Sequence, residues 1–406
     1  QRASTVVWDR ATGVPVGPAI GWQDLRTVAL CLQLQDRGVR LAPNASATKL
    51  AVLLDMADPD RSRDLCFGTV DSWLAWTLSA GGLHVTDASN AGVTGLVHPD
   101  ASGWDPAVLE VLRIPETVLP AIVDSSGPLG PARALAGQPP LAAMIGDQQA
   151  SLVGQGCTRP GLAKFTAGTG GMLDVCLGAE RPGFPGRGPQ GCFPIVAWRR
   201  GGRDVWGLEA VMLSAGSCLA WLRDGLGLLA EVAESDALAS SVPNSGDVWF
   251  VPALAGLGTP AWDFGARGLL VGLSATTTRA EVVRAVLEGI AHRAADLVEA
   301  AETDAGLAID SLRVDGGMSA NAAFVDLLAR AVQRPVEVSP VTEATTLGAA
   351  FLAGLAVGIW ADEAEVATTW APRAVVEPGR PLDRSRWHEV VSLAAGTIPA
   401  LSALSF

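Results

Sequence analysis

From Leu312 onward the chain alternates short apolar strands with helical patterns, and each strand runs out into small or polar residues. Leu312-Arg313-Val314-Asp315 reads as a strand, Gly316-Gly317 as a turn and Asn321 to Val332 as a helix; Val336 to Val338 is a further strand and Thr345 to Gly358 a further helix. Such alternation predicts an α/β domain with a largely parallel central sheet. The same grammar appears earlier, where the apolar strand Leu141 to Ile145 ends in Gly146-Asp147-Gln148-Gln149 and Ala150 to Leu152 resumes a helical pattern. Leu162 to Phe165, the loop Thr166 to Gly171 and Met172 to Leu177 predict a glycine-rich hairpin. Thr278-Arg279-Ala280-Glu281 is a capping box that opens a long helix with Val282, Val286, Ile290, Ala294, Leu297 and Ala301 on one face. Nearer the start, Thr5 to Trp8 and Val14 to Trp22 suit a hairpin, Thr27 to Asp36, Asn44 to Asp58 and Val70 to Thr77 suit helices, and Ser125 to Pro140 reads as a long loop. Two α/β units meeting near residues 150 to 160 leave a cleft between them, a common place for a substrate.

At 406 residues the chain is long enough for two or three domains, and 49% hydrophobic against 17% charged residues excludes a disordered protein. A net charge of -13 argues against nucleic acid or anionic lipid as a partner held by an unspecific basic surface. A phosphate-bearing ligand stays open, because backbone N–H groups and a metal can hold a phosphate. Cys31, Cys66, Cys157, Cys176, Cys192 and Cys218 show neither CxxC spacing nor a disulfide framework, so they read as small buried thiols of a cytoplasmic protein. No secretory signal is present, and the longest apolar run, Leu347 to Ala361, is a buried helix too short for an integral membrane segment. The chain opens at Gln1 almost directly into the strand-like Ser4 to Trp8, which leads us to expect a further segment before it. Tyrosine is absent, so no phenol serves as acid or base, and only Lys49 and Lys164 among the 29 basic residues are lysines. Those two positions either need a compact point charge or retain one by chance.

Three places carry candidate chemistry. Asp147 sits where a strand runs into a helix, at the carboxyl edge of a sheet; on position alone it is equally a helix cap or a carboxylate that takes a proton from a hydroxyl. The loop Thr166-Ala167-Gly168-Thr169-Gly170-Gly171 is either an ordinary hairpin turn or a set of N–H groups that can close on phosphate oxygens without hindrance from Cβ atoms. Asp315-Gly316-Gly317 with Asn321 is either a bare turn or a place where an adenine nucleotide lies against the backbone. The conjunction is more specific than any member. The tryptophans read as core, the four histidines are too dispersed for a metal site, and no GxSxG elbow is present for serine catalysis.

The strings Gln1-Arg2, Thr5-Val6-Val7-Trp8-Asp9, Phe67 to Leu74, His84-Val85-Thr86-Asp87, Gly146-Asp147-Gln148-Gln149-Ala150, Gly168-Thr169-Gly170, Gly256-Leu257-Gly258, Arg313 to Gly317 and Leu347-Gly348-Ala349-Ala350 resemble the FGGY carbohydrate kinases, and within them the glycerol kinases. Gly268 to Glu288 fits the family's C-terminal signature. The resemblance runs through essentially the whole chain. It implies an actin-like (ribonuclease H-like) two-domain ATPase fold, with the first domain incomplete at its N-terminus, a polyol-binding domain over residues 1–156 and a nucleotide-binding domain over 157–406. The implied reaction is ATP-dependent phosphorylation of glycerol to glycerol 3-phosphate with ATP and Mg2+; the alternatives are a kinase for another polyol or a ketose, or a non-catalytic sugar- or nucleotide-binding descendant of the fold. No oligomeric state follows, although the family is often dimeric or tetrameric and a homo-oligomer is compatible with that.

Carried over residue by residue, the family's catalytic base falls on Asp147, which would also lie near Mg2+. Arg2, Trp22 and Gln148 match polyol contacts, Gly168 and Thr169 the phosphate-contacting hairpin, and Gly216, Gly317 and Asn321 the nucleotide surface. Where glycerol kinases carry Glu, Tyr and Phe around the polyol, this sequence has Ala3, Asn44 and Met172, so glycerol should bind less tightly and a longer polyol or ketose fits more easily. The N-terminal FGGY signature is altered at Asn44 and Val52. The Asp-Gly-Thr-rich loop of the family would lie before Gln1, so residues 1–406 alone are expected to be poorly active. Gln138 occupies the place of an arginine used for fructose bisphosphate control in some relatives, and that control is not expected.

Overall fold

The computed structural model describes residues 1–406. The predicted alternation is present, and it is built around one nine-stranded sheet. In its first part the chain forms β1 (Val6–Asp9), α1 (Val28–Gln35), α2 (Ser46–Ala57), β2 (Leu65–Gly68), α3 (Val70–Leu78), β3 (Val85–Asp87), α4 (Ala88–Gly92), α5 (Pro106–Leu112), β4 (Ala121–Val123), β5 (Ser126–Pro131), β6 (Pro140–Ala143) and α6 (Asp147–Gly154). The second part begins with the strands β7 (Ala163–Ala167), β8 (Gly171–Gly178), β9 (Phe193–Arg200) and β10 (Arg203–Met212). It continues with α7 (Gly216–Asp224), α8 (Glu234–Ser240), β11 (Trp249–Val251), β12 (Leu269–Val271), α9 (Arg279–Ala305), β13 (Leu312–Asp315), α10 (Ala322–Val332), β14 (Val336–Val338) and α11 (Ala344–Ala356). Helix α12 (Glu363–Thr368), β15 (Ala374–Val376), α13 (Arg384–Ala394) and α14 (Pro399–Ser402) complete it.

The large sheet has the order β15-β14-β13-β7-β8-β10-β9-β5-β6. It is mixed, not largely parallel as the sequence suggests. Strands joined by a crossover are parallel, as β13 is to both β14 and β7. Consecutive strands joined by a tight turn have no room for a crossover and pair antiparallel, as β7 with β8 and β9 with β10. Between β9 and β10 the turn is Gly201-Gly202, both with positive φ (58° and 70°), the conformation that a two-residue hairpin of matching twist demands.

Two expectations fail locally. Ser125 to Pro140 is not all loop: β5 pairs antiparallel with β6 and touches β9 through the single pair Ser126↔Arg200. Its glycines and prolines hide the strand, and they are tolerated because the ladder is irregular between Ser126 and Gly130. The first hairpin is also looser than its pattern suggests. The ladder partner of β1 is β2, and residues 14–22 add only the isolated bridges Thr5↔Ile20 and Trp8↔Pro15, since Pro15 and Pro18 have no N–H to give.

Helix α9 is the spine of the second part. Its capping box forms as the sequence predicts, Gly306 closes it in the left-handed conformation, and Val283, Val286, Leu287, Ile290, Ala291, Ala294, Leu297 and Val298 are buried. A separate cluster of Val7, Leu50, Leu54, Phe67, Leu96 and Leu119 packs α2 and α5 beside β1 and β2. No helix is long and apolar enough to cross a membrane.

Candidate active site

Asp147 is the first residue of α6, and the cap before it is Gly146, which has no side chain to offer. The cap reading of Asp147 therefore falls away. Gly146 is glycine for lack of room: a Cβ there would stand 2.6 Å from Gln149 Oε1 and 2.8 Å from Arg2 Cδ. The Asp147 carboxylate accepts from the Gln148 N–H (2.8 Å) and from Arg2 Nε (3.1 Å), both at Oδ1. Its Oδ2 accepts no hydrogen bond but lies 3.8 Å from the Gln1 amino group, and the side chain is 39% exposed. Burial pulls the acid's pKa upward, but the Arg2 guanidinium, then the Gln1 amino group and the Gln148 N–H, outweigh it and hold Asp147 below the usual carboxylate value. It is an ionised acceptor whose Oδ2 takes no hydrogen bond.

Helix α6 is fixed from behind by α11. A Cβ on Gly348 would lie 1.8 Å from Ala150 O, and one on Gly154 2.0 Å from Ala344 O, so the two helices cross at backbone contact. Thr345 Oγ1 donates to Asp147 O at 3.3 Å.

Arg2 and Gln148 flank Asp147. Arg2 Nη1 lies 2.7 Å from Glu209 Oε2, and Gln148 Oε1 accepts from Lys164 Nζ. Next to Arg2, Ala3 is held at φ 56°, a left-handed backbone that costs a non-glycine residue about 1 kcal/mol. Trp22 is exposed; its N–H donates to Ser4 Oγ at 3.3 Å, and its carbonyl accepts from the buried Lys49 at 3.1 Å. Lys49 also donates to Asn44 O, so this lysine ties the Trp22 loop to the start of α2, and burial lowers its pKa to about 8.

The glycine loop docks on α7. Thr169 O accepts from the N–H groups of Ala215 and Ser217, and Gly168 O from that of Gly216. The Thr169 and Gly170 N–H groups donate to nothing within the chain. Gly216 is glycine because a Cβ would meet Gly168 O at 2.6 Å. Gly168 and Gly317 differ: a Cβ on Gly168 has nothing closer than 3.8 Å, and one on Gly317 nothing within 4 Å. Their bare backbone faces open space. Gly316, with φ 82°, presses against Ala167 O, which brings the Asp315 turn beside the glycine loop. Asp315 then reaches α6, accepting from Ser151 Oγ (2.8 Å) and Gln155 Nε2 (2.9 Å). The three motifs that the sequence leaves ambiguous thus form one assembly. Asn321 caps α10 by accepting from the Phe324 N–H at 2.8 Å and donates to Ser235 Oγ, so its amide is engaged in structure.

Models of the FGGY family of carbohydrate kinases match the chain twice, the N-terminal domain over residues 1–154 and the C-terminal domain over 163–357. The glycerol kinase of Trichlorobacter lovleyi is 44% identical over 406 residues, covering 96% of this chain and 81% of that one. The chain belongs to the FGGY carbohydrate kinase family. The Alkalilimnicola ehrlichii glycerol kinase is 48% identical over 380 residues, covering 88% and 75% of the two chains. Among solved structures, Plasmodium falciparum glycerol kinase with ADP superposes with a TM-score of 0.87 at 28% identity, covering 100% of this chain and 83% of that one. Lactobacillus acidophilus gluconate kinase has a TM-score of 0.84 at 21% identity, covering 99% and 83%, and shares the fold.

Sequence reasoning misses several residues of this FGGY kinase that support the site. Glu209, Asp174 and Ser89 are absent from its motifs; the available signal is a lone charge inside an apolar strand, as in Met172-Leu173-Asp174-Val175-Cys176. The carboxylates of Asp296 and Glu299 come close to His388, but Arg293 and Arg384 already pair with them, far in sequence from Asp147. A surface depression of about 300 Å3 lies among β3, β4 and β5, another of about 460 Å3 lies where β5 meets β9, and neither includes any of the Asp147 assembly.

Proposed function

We propose that the chain transfers the γ-phosphoryl group of ATP to a terminal hydroxyl of glycerol, with residues 1–156 holding the polyol and 157–406 the nucleotide. The observation that carries this reading is the ionised, half-exposed Asp147, whose Oδ2 accepts no hydrogen bond, in one assembly with a loop whose Thr169 and Gly170 N–H groups are unclaimed. Relatives 41–48% identical over most of the chain are glycerol kinases.

In this reading the attacking hydroxyl gives its proton to Asp147 as its oxygen bonds to phosphorus. The bond from the γ-phosphorus to the bridging oxygen breaks, and the electron pair leaves with ADP. A loose transition state asks for in-line placement more than for a strong base, which suits a carboxylate of lowered pKa. Arg2 and Gln148 hold the polyol, and Trp22 covers it. Gly168, Thr169 and Gly317 receive the phosphates and nucleotide along bare backbone, with Gly216, packed on Gly168, and Asn321 bracing that surface. The carboxylate oxygen Oδ2 of Asp147, which accepts no hydrogen bond, is a hard donor that fits a hard cation, so Asp147 would hold Mg2+ together with the phosphates, whose charge the ion would neutralise.

Ala3, Asn44 and Met172 favour a second reading, a longer polyol or a ketose, because Asn44 is exposed with no side-chain partner and Met172 is pliable. ADP release from the purified protein, measured with glycerol, tetritols and ketoses, tests both. Glycerol-dependent release supports the first, preference for a longer substrate supports the second, and no release with any of them contradicts both.

A further inference from the structure

Three charged residues stand side by side across the large sheet. Lys164 on β7 is directly opposite Asp174 on β8, and Asp174 is directly opposite Glu209 on β10. Lys164 and Asp174 are fully buried, on the face where Cys176 packs against Leu152 and Val153 of α6. Charges in such a place are expensive unless they are held for a purpose. Both ends of the row finish at the site. Lys164 Nζ is 2.6 Å from Asp174 Oδ2 and donates to Gln148 Oε1 (2.5 Å) and Thr166 Oγ1 (2.9 Å). Glu209 Oε2 is 2.7 Å from Arg2 Nη1, whose Nε reaches Asp147.

The choice of lysine follows from this geometry. One nitrogen donates to two oxygens and stands in ionic contact with a third, an arrangement that the compact ammonium allows and the flat, spread fork of a guanidinium does not. A chain that uses arginine for nearly every other cation keeps lysine here.

We propose that Lys164, Asp174 and Glu209 are positioning residues that set the hydrogen-bonding character of the polyol site. Lys164 occupies Gln148 Oε1, which leaves the NH2 group as the free end of that amide. Asp147 accepts from Arg2 Nε and Glu209 stands in ionic contact with its Nη1, so the two carboxylates hold the guanidinium between them. Gln148 and Arg2 therefore offer donors to substrate oxygens, while Asp147 is left as the acceptor for the hydroxyl that attacks. The row selects ligands whose non-reacting oxygens accept.

This inference rests on the polyol kinase reading, and its test separates the two. Lys164→Met with Asp174→Leu removes the pair without stranding a buried charge, and Glu209→Gln keeps the side chain's volume. Both variants are compared with wild type by KM for glycerol, KM for ATP, kcat and the glycerol-induced shift in Tm. The row's role predicts at least a tenfold rise in KM for glycerol with KM for ATP within twofold, in protein whose urea midpoint is near that of wild type; Lys164→Arg does not restore it. If the double variant does not fold, Glu209→Gln carries the same prediction. An unchanged KM for glycerol in a folded variant, or equal changes in both KM values, overturns the row's role alone. A wild type with neither glycerol-dependent turnover nor a Tm shift overturns the polyol reading and this inference with it.

Discussion

Ser89 Oγ accepts the N–H of Gly146 at 2.9 Å, and so a side chain of α4 holds the backbone one residue before Asp147. Ser89 is itself fixed, because its N–H donates to Asp87, a buried carboxylate that also receives the Ser125 hydroxyl at 2.6 Å. Ser89→Ala should leave a buried N–H without an acceptor, costing about 1–3 kcal/mol of stability. It should also loosen Asp147, so kcat should fall more than KM for ATP rises. Urea denaturation and steady-state kinetics on the same preparation check both effects.

Adjacent glycines should respond in opposite ways. Gly316→Ala puts a Cβ 2.6 Å from Ala167 O at a φ of 82°, so it should destabilise the fold by roughly 1–3 kcal/mol. Gly317→Ala meets nothing within 4 Å and should fold normally, yet raise KM for ATP by filling the face the nucleotide approaches. Thermal melting separates the first, and kinetics at varied ATP the second. Equal Tm values for the two variants would contradict this account.

Gly348→Ala tests the clamp behind Asp147. The added methyl would press on Ala150 O at 1.8 Å and must part α11 from α6. A loss of about 1–3 kcal/mol in stability and a fall in kcat are expected, read by urea melts and turnover.

The strand-to-helix turns are legible in the sequence because their signals are local. Asp147 follows a short apolar run, the capping box at Thr278 and Glu281 lies within one turn, and Asn321 caps the helix it precedes. What joins these pieces is not local. The row Lys164, Asp174 and Glu209 depends on the register of three strands, and the Ser89 to Gly146 bond spans 57 positions. Strand β5 is obscured by its own glycines and prolines, which only an irregular ladder admits.

His292 predicts acid sensitivity. It is buried, stacked on Trp387 at 4.8 Å and near Arg384, and burial first, then the Arg384 charge, lower its pKa to about 3. A histidine held neutral in the fold and free to protonate when unfolded contributes stability above about pH 6.5, lost as the pH falls toward 3. The loss should be about 1 kcal/mol per pH unit in that window. His292→Phe keeps the stack and removes the titration, so its urea-derived stability should fall less steeply between pH 6.5 and 4.5. Parallel curves for the two proteins would contradict the assignment.

Asp147→Asn tests the central claim most directly, since it keeps the side chain's shape and removes the proton acceptor. ADP formation in a single turnover with glycerol and MgATP should slow by about 10² to 10⁴, while the glycerol-induced Tm shift persists. Wild-type turnover by Asp147→Asn would contradict Asp147 as the base.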